Sequence, residues 1–177
     1  MMTFKLRELT INDVPALAAL HVETFNETHG KHPDGPTVEL RQYQWQQLFQ
    51  EKDKNWFCIV IESEHGKLIG FAKGQPYNHD DLPEFSGELN KIYLLKKYHK
   101  LGLGRQLICN VAHQFVRRGI SSMLLFGDEN NQSNKFYERM GASKLFGKNG
   151  EFHGGYGWKD LQKLFDNCPL SEHSEKL

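Results

Sequence analysis

Apolar residues recur along this chain with two rhythms, and the switches between them predict its elements. Phe4 and Leu6, followed by Glu8-Leu9, read as a short opening strand, and Thr10-x-x-Asp13 has the spacing of a capping box. A helix is expected from there through Val14, Leu17, Leu20 and Phe25, with Pro15 tolerated in its first turn. Gly30, Pro33, Gly35 and Pro36 are breakers, so residues 26–37 are expected as a loop. A second helix is expected over Val38 to Glu51, burying Leu40, Tyr43 and Leu48 with Trp45 and Phe49 beside them. The rhythm then changes. Trp56 to Ile61 reads as a buried strand, His65-Gly66-Lys67 as a hairpin turn and Leu68 to Lys73 as the returning strand. Residues 75–87 contain two prolines with Asn78, His79, Asp80 and Asp81, and read as a loop of a length that is frequently functional.

The stretch from Glu88 to Gly119 organises the rest. A strand breaks into a lysine-rich turn, passes Gly102 and Gly104, and enters a helix in which Leu103, Leu107, Val111 and Phe115 recur every fourth position. The first turn of a helix presents unpaired N–H groups and the positive end of the macrodipole, so a diphosphate can dock there if no side chain blocks it. Glycine removes the block and tolerates positive φ, while Lys96, Lys97, Lys100 and Arg105 add charge around the same turn. Arg117, Arg118 and Gly119 suit the end of that helix. Met123 to Phe126 then reads as a buried strand lying parallel to the Glu88 strand, because the connection is a helical crossover. Asn130 or Asn131 caps a short helix ending at Met140, with Gly141 behind it, then a strand, and a last strand near Tyr156-Gly157-Trp158.

Composition narrows the function classes. A chain of 177 residues suits a single domain with its own core. Its 22 basic and 22 acidic residues cancel, so there is no overall field for nucleic acid or an anionic membrane, and anion binding must be local. Cys58, Cys109 and Cys168 are odd in number, widely spaced and without C-x-x-C, and read as reduced thiols in a cytoplasm. His29 and His32 have no carboxylate or thiol cluster to complete a metal site. No apolar run is long enough to span a bilayer, and the first residues lack a signal pattern. The expectation is a soluble cytoplasmic protein, monomer or homodimer, with no nucleic acid, membrane or metal partner. Residues 1–166 are expected to form the domain and residues 167–177 a flexible tail.

Two blocks together resemble the GNAT superfamily of acetyl-CoA-dependent N-acetyltransferases. The family's hallmark is a strand, then [QR]-x-x-G-x-[GA] opening a helix, and some twenty-five residues later N-x-x-[SA]-x-x-F-Y-x-x-x-G before the next strand. Here the first block is His99-Lys100-Leu101-Gly102-Leu103-Gly104 and the second is Asn130, Ser133, Phe136, Tyr137 and Gly141. Residues 88–147 carry the resemblance closely, and the N-terminal half matches in its pattern of elements only. His99 departs from the usual Gln or Arg, and Lys100 from a frequent Gly.

The resemblance implies an α/β (α+β) fold: a mixed, mostly antiparallel sheet of six to seven strands, a parallel pair splayed at the coenzyme site, and about four flanking helices. It implies acetyl-CoA as cosubstrate, held by Tyr93, Leu94, Leu95, the run from His99 to Arg105, Asn130, Ser133, Phe136 and Tyr137. It also implies direct attack by a primary amine, with no covalent enzyme intermediate. An ammonium of reference pKa near 10.4 must first lose its proton, which costs roughly 4.6 kcal/mol at pH 7. Glu88 stands where family members often place the base, with Asn90 a weaker candidate for positioning a water. A backbone N–H near Leu94, at a bulge of the central strand, would meet the developing oxyanion, and Tyr137 would act as the acid that protonates the departing thiolate. A small-molecule amine is the expected acceptor, lined by Phe25, Glu27, Tyr43 and Asp80. The alternatives are a protein N-terminal or lysine acetyltransferase, and a non-catalytic acyl-CoA sensor.

Overall fold

The two rhythms resolve into seven strands and five α-helices in the computed structural model, which describes residues 2–168. In chain order these are β1 (Phe4–Glu8), α1 (Val14–His29), α2 (Val38–Gln50), β2 (Phe57–Ser63), β3 (Leu68–Pro76), β4 (Gly87–Leu94), α3 (Leu103–Arg117), β5 (Met123–Leu125), α4 (Asn134–Arg139), β6 (Ser143–Phe146), β7 (Phe152–Trp158) and α5 (Leu161–Phe165). The strands make one sheet in the order β1-β2-β3-β4-β5-β7-β6. Every adjacent pair is antiparallel except β4 and β5, which run parallel across the α3 crossover. The expected mixed sheet with one parallel pair is therefore present.

Helices cover both faces. On β3, Phe71 meets His21 of α1 and Trp45 of α2, with ring centroids 5.2 and 5.9 Å apart. Gly74 points the other way, where an added Cβ would run into the Phe57 ring and stand 3.0 Å from Phe115 of α3. Because residues alternate faces along a strand, α1 and α2 lie on one side of the sheet and α3 on the other. Leu107, Ile108, Val111 and Phe115 of α3 are fully buried against it, the expected apolar stripe.

Three expectations are corrected. Helix α1 continues to His29, past the predicted loop start at Asn26, because the Thr28 hydroxyl donates to Thr24 O at 3.0 Å and the first breaker is Gly30, at φ 80°. Helix α2 turns Trp45 inward (2% exposed) and leaves Leu40 (47%) and Tyr43 (60%) in solvent. Trp45 carries the largest apolar surface on that helix, and its N–H finds a buried acceptor, so its stripe wins over the one drawn through Leu40 and Tyr43. Third, Cys109 and Cys168 are joined in a disulfide, and only Cys58 is free. No spacing rule announces a bridge across 59 residues. Helix α5, which the pattern did not predict, makes it: Asp160 caps it through Gln162 N–H, and it packs on α3 with Phe165 stacked 4.1 Å from His113. Asn167 and Cys168 are thus tied down where a tail was expected, and residues 169–177 lie outside the described residues.

The bridge ties the last described turn to the middle of α3. Closing a loop of this size is worth about 2–4 kcal/mol. Urea unfolding with and without reductant is expected to show that loss. Equal midpoints, with three thiols titrating in the untreated protein, would contradict it.

Candidate active site

Strands β4 and β5 pair only at Gly87 with Met123 and at Glu88 with Leu124. Beyond that point they part, and a cleft of about 640 Å³ opens between them. Its lining includes Asn90, Lys91 and Tyr93 of β4, Phe126 to Glu129 after β5, and Tyr137. The bulge of β4 lies at Asn90, since Lys73 pairs with Lys91 while Gly74 pairs with Leu89. That differs from the expected position near Leu94, where the ladder is regular and Leu94 pairs with Gly70. Cross-strand partners share a face, so the extra residue leaves Glu88, Lys91 and Tyr93 all on the α1–α2 side, with Gln75, Lys73 and Phe71.

Leu95 N–H donates to Ile69 O of β3. Backbone groups alternate sides along a strand, so the N–H of Leu94 is turned toward the splay. The Leu94 carbonyl is held there by Nε2 of His99 at 2.8 Å. His99 therefore ties the end of β4 to the turn ahead of α3.

That turn divides the work of its glycines. Gly102 precedes α3 at φ 78°, and a Cβ placed on it would have nothing within 4 Å, so it supplies conformation and an open approach. Gly104 faces the aromatic pair instead: a Cβ there would lie 3.3 Å from Phe136. Leu103 is buried at 2% and anchors the helix start, while Arg105 and Lys100 are exposed. Lys100 itself adopts φ 63°, a left-handed conformation that costs a non-glycine residue energy and that the usual Gly would take freely.

Tyr137 is 7% exposed and packs beside Phe136, Tyr156 and Trp158. Burial pushes its hydroxyl up to about 12, with the neighbouring Tyr93 adding to the effect. The hydroxyl has no hydrogen-bond partner among the described residues, although it lines the cleft. The expected cap by Asn130 or Asn131 is not made: Ser133 precedes α4 and no side chain caps it. Asn131 accepts the Ser133 N–H at 2.8 Å, Asn130 is exposed with its N–H on Asp128, and buried Asn134 holds two carbonyls, Asp128 O and Glu129 O.

Glu88 stands in a chain of polar contacts. Its Oε2 accepts Gln75 Nε2 at 2.7 Å and its Oε1 accepts Asn90 Nδ2 at 3.2 Å, while Lys73 Nζ donates to Gln75 Oε1 and Asn90 Oδ1. Each carboxylate oxygen keeps a further lone pair free. A second cavity, of about 480 Å³, lies under α2 on this face and shares Asn90 and Lys91 with the first. Of the residues expected to meet an acceptor, Tyr43 lines it and Phe25 lies 5.7 Å beneath the Arg41 guanidinium. Glu27 accepts the Lys96 N–H at 2.9 Å instead, and Asp80 is exposed on the loop after β3 and lines neither cavity.

Sequence reasoning passed over His21, Arg41, Lys73 and Lys91. Lys73 gave a signal, being a lone charge inside an apolar strand run. His21 is buried, its Nδ1 accepts Trp45 Nε1–H at 3.2 Å, and the ring proton is therefore on Nε2. Burial, with Arg41 and Lys91 nearby, lowers its pKa to about 3. Because the folded state resists protonation and the unfolded chain takes a proton near 6.5, stability present above pH 6.5 is lost as pH falls toward 3. Between pH 6.5 and 5 the loss is expected to reach about 2 kcal/mol. Urea midpoints over that range check it, and His21→Gln is expected to flatten the dependence.

A glycine-opened helix start beside a splayed parallel pair, with a buried tyrosine in the gap, defines an acyl-transferase architecture. Residues 15–142 match the Acetyltransferase (GNAT) family, and the chain belongs to that family. It is 30% identical over 168 residues to the uncharacterized N-acetyltransferase YuaI of Bacillus subtilis (strain 168), a match covering 90% of this chain and 95% of that protein. Among solved structures, the fold is similar to an N-acetyltransferase from Staphylococcus aureus Mu50 (TM-score 0.68, 16% identity, 90% of this chain and 99% of that one). It is similar also to the PaiA N-acetyltransferase of Thermoplasma acidophilum in complex with coenzyme A (TM-score 0.63, 18% identity, 88% and 98%). A third is YncA of Salmonella typhimurium with its cofactor acetyl-CoA (TM-score 0.63, 16% identity, 90% and 94%).

Proposed function

We propose that this chain is an N-acetyltransferase that moves the acetyl group of acetyl-CoA onto a primary amine of a small molecule by direct attack. The observation that carries the reading is Tyr137, a buried side chain whose hydroxyl, unpartnered among the described residues, opens on the cleft where β4 and β5 part. The cradle fits the coenzyme. Gly102 leaves the approach to the α3 N-terminus open, and Lys96, Lys97, Lys100 and Arg105 are exposed without a carboxylate partner among the described residues. The main-chain N–H groups from Leu103 to Arg105 would hold the diphosphate, with the cations as screening charge. When bound, acetyl-CoA supplies an activated acyl carbon and a thiolate leaving group.

The chain's own residues then have three tasks. Glu88 accepts the proton of the acceptor ammonium, directly or through a water on Asn90, using lone pairs its two amide donors leave free. The Leu94 N–H, turned to the splay beside the carbonyl that His99 holds, donates to the acyl oxygen as negative charge builds there. Tyr137 faces the departing sulfur. With its pKa near 12 against roughly 8.5 for a thiol, complete proton transfer is uphill by roughly 5 kcal/mol. The hydroxyl therefore acts by donating a hydrogen bond to the sulfur as it leaves and keeps its own proton, and the thiolate takes up a proton from water after release.

Two measurements test this reading: calorimetric titration with coenzyme A, and thiol release from acetyl-CoA across a panel of primary amines. Binding with thiol release supports it. Binding without release on any amine would leave the sensor reading, and no binding would remove the coenzyme assignment.

A further inference from the structure

Three cations line the smaller cavity: Arg41 from α2, Lys73 from β3 and Lys91 from β4. Each is pushed toward its neutral form by burial, and each of the two lysines also by a cation beside it, Lys73 by Lys91 and Lys91 by Arg41. None is in a salt bridge among the described residues. Lys73 bonds only the neutral amides of Gln75 and Asn90. Arg41 gives Nη1 to the Gln44 amide at 3.0 Å, and its Nε is buried with no partner among the described residues. Lys91 makes no side-chain hydrogen bond among them. The carboxylates of the neighbourhood are Glu88, which favours the charged form of both lysines without ion-pairing either, and Glu51, which lines the cavity and does the same for Lys73, so three cations face two carboxylates. Neutral His21 adds no charge of its own.

Charges withdrawn from water are normally paired, because an unpaired one forfeits solvation that nothing in the protein returns. Three that converge on a cavity, one with an orphaned buried N–H, are matched to a ligand that brings the missing negative charge. We propose that the acceptor is an amine that also carries an anionic group, a carboxylate or a phosphate, and that Arg41 and Lys91 bind that group. This rests on the acetyltransferase reading above and supplies its substrate class. Asn90 and Lys91 line both cavities, so an acceptor seated on the cations reaches past the β4 bulge into the cleft of Tyr137. The same positive field disfavours an ammonium there and so favours the neutral amine that attack requires.

Matched acceptors test it: β-alanine against its carboxamide, and 2-aminoethyl phosphate against 2-aminoethanol. At fixed acetyl-CoA the charged member of at least one pair is expected to have a kcat/KM at least about tenfold higher, mainly through KM. In Arg41→Gln and Lys91→Met that preference is expected to collapse toward unity. The better pair, carboxylate or phosphate, identifies the anion. Binding is read separately, by quenching of tryptophan fluorescence on titrating β-alanine or 2-aminoethyl phosphate, with thermal melts confirming that each variant is folded. Selective binding of the charged probe without turnover would uphold this site while removing the transferase reading. Equal use or equal binding of the charged and neutral members, or a preference that survives both substitutions, would overturn it.

Discussion

Tyr137→Phe is expected to lower kcat for acetyl transfer by on the order of 100-fold while coenzyme A affinity stays within about twofold. The substitution keeps the ring that packs on Phe136, Tyr156 and Trp158 and removes only the hydroxyl. Among the described residues nothing hydrogen-bonds that hydroxyl, so its loss leaves no orphaned partner and stability should barely change. What disappears is a donor aimed at charge that exists only as the sulfur departs, which is why the effect belongs to kcat. The raised pKa gives a second check: the wild-type rate should show no fall attributable to Tyr137 ionisation between pH 7 and 10. A variant with full kcat would remove Tyr137 from the chemistry.

Trp45→Ala is expected to be the most destabilising of the substitutions considered, by about 3–5 kcal/mol. Trp45 is 2% exposed and touches His21, Trp56 and Phe71, which join α1 and α2 to the sheet. Truncation enlarges the cavity under α2 and strips buried His21 of its hydrogen-bond donor. At an m-value of about 2 kcal/mol per molar urea, the midpoint should fall by about 2 M. A shift below about 0.5 M would mean that α2 contributes little to the fold. Trp45→Phe should recover most of the loss but not the hydrogen bond, separating packing from the polar contact.

Much of the fold was legible because its signals are local. The helix from Leu103, the short helix ending before Gly141, the His65-Gly66 turn and the parallel strand after the crossover all follow from spacing and breakers within a few residues. The turn ahead of α3 belongs to this class, since it is built from main chain and glycines. The misreadings share a cause as well. Leu40 and Tyr43 were expected inside, but which stripe of α2 faces the sheet depends on what waits there, and His21 with Phe71 selected Trp45. The bridge between Cys109 and Cys168 depends on α5 folding back onto α3.

From sequence alone, then, came the order and kind of elements from β1 to β7, the family resemblance through residues 99–104 and 130–141, and the glycine-opened start of α3. Spacing along the chain suffices for these because helix caps, glycine turns and strand periodicity act over a few bonds. Tertiary structure alone decided the position of the β4 bulge, the disulfide and the gathering of three cations on the smaller cavity. Arg41, Lys73 and Lys91 lie on three separate elements, and whether their charge is solvated, paired or left facing a cavity is set by packing, because a charge's free energy depends on what surrounds it in space.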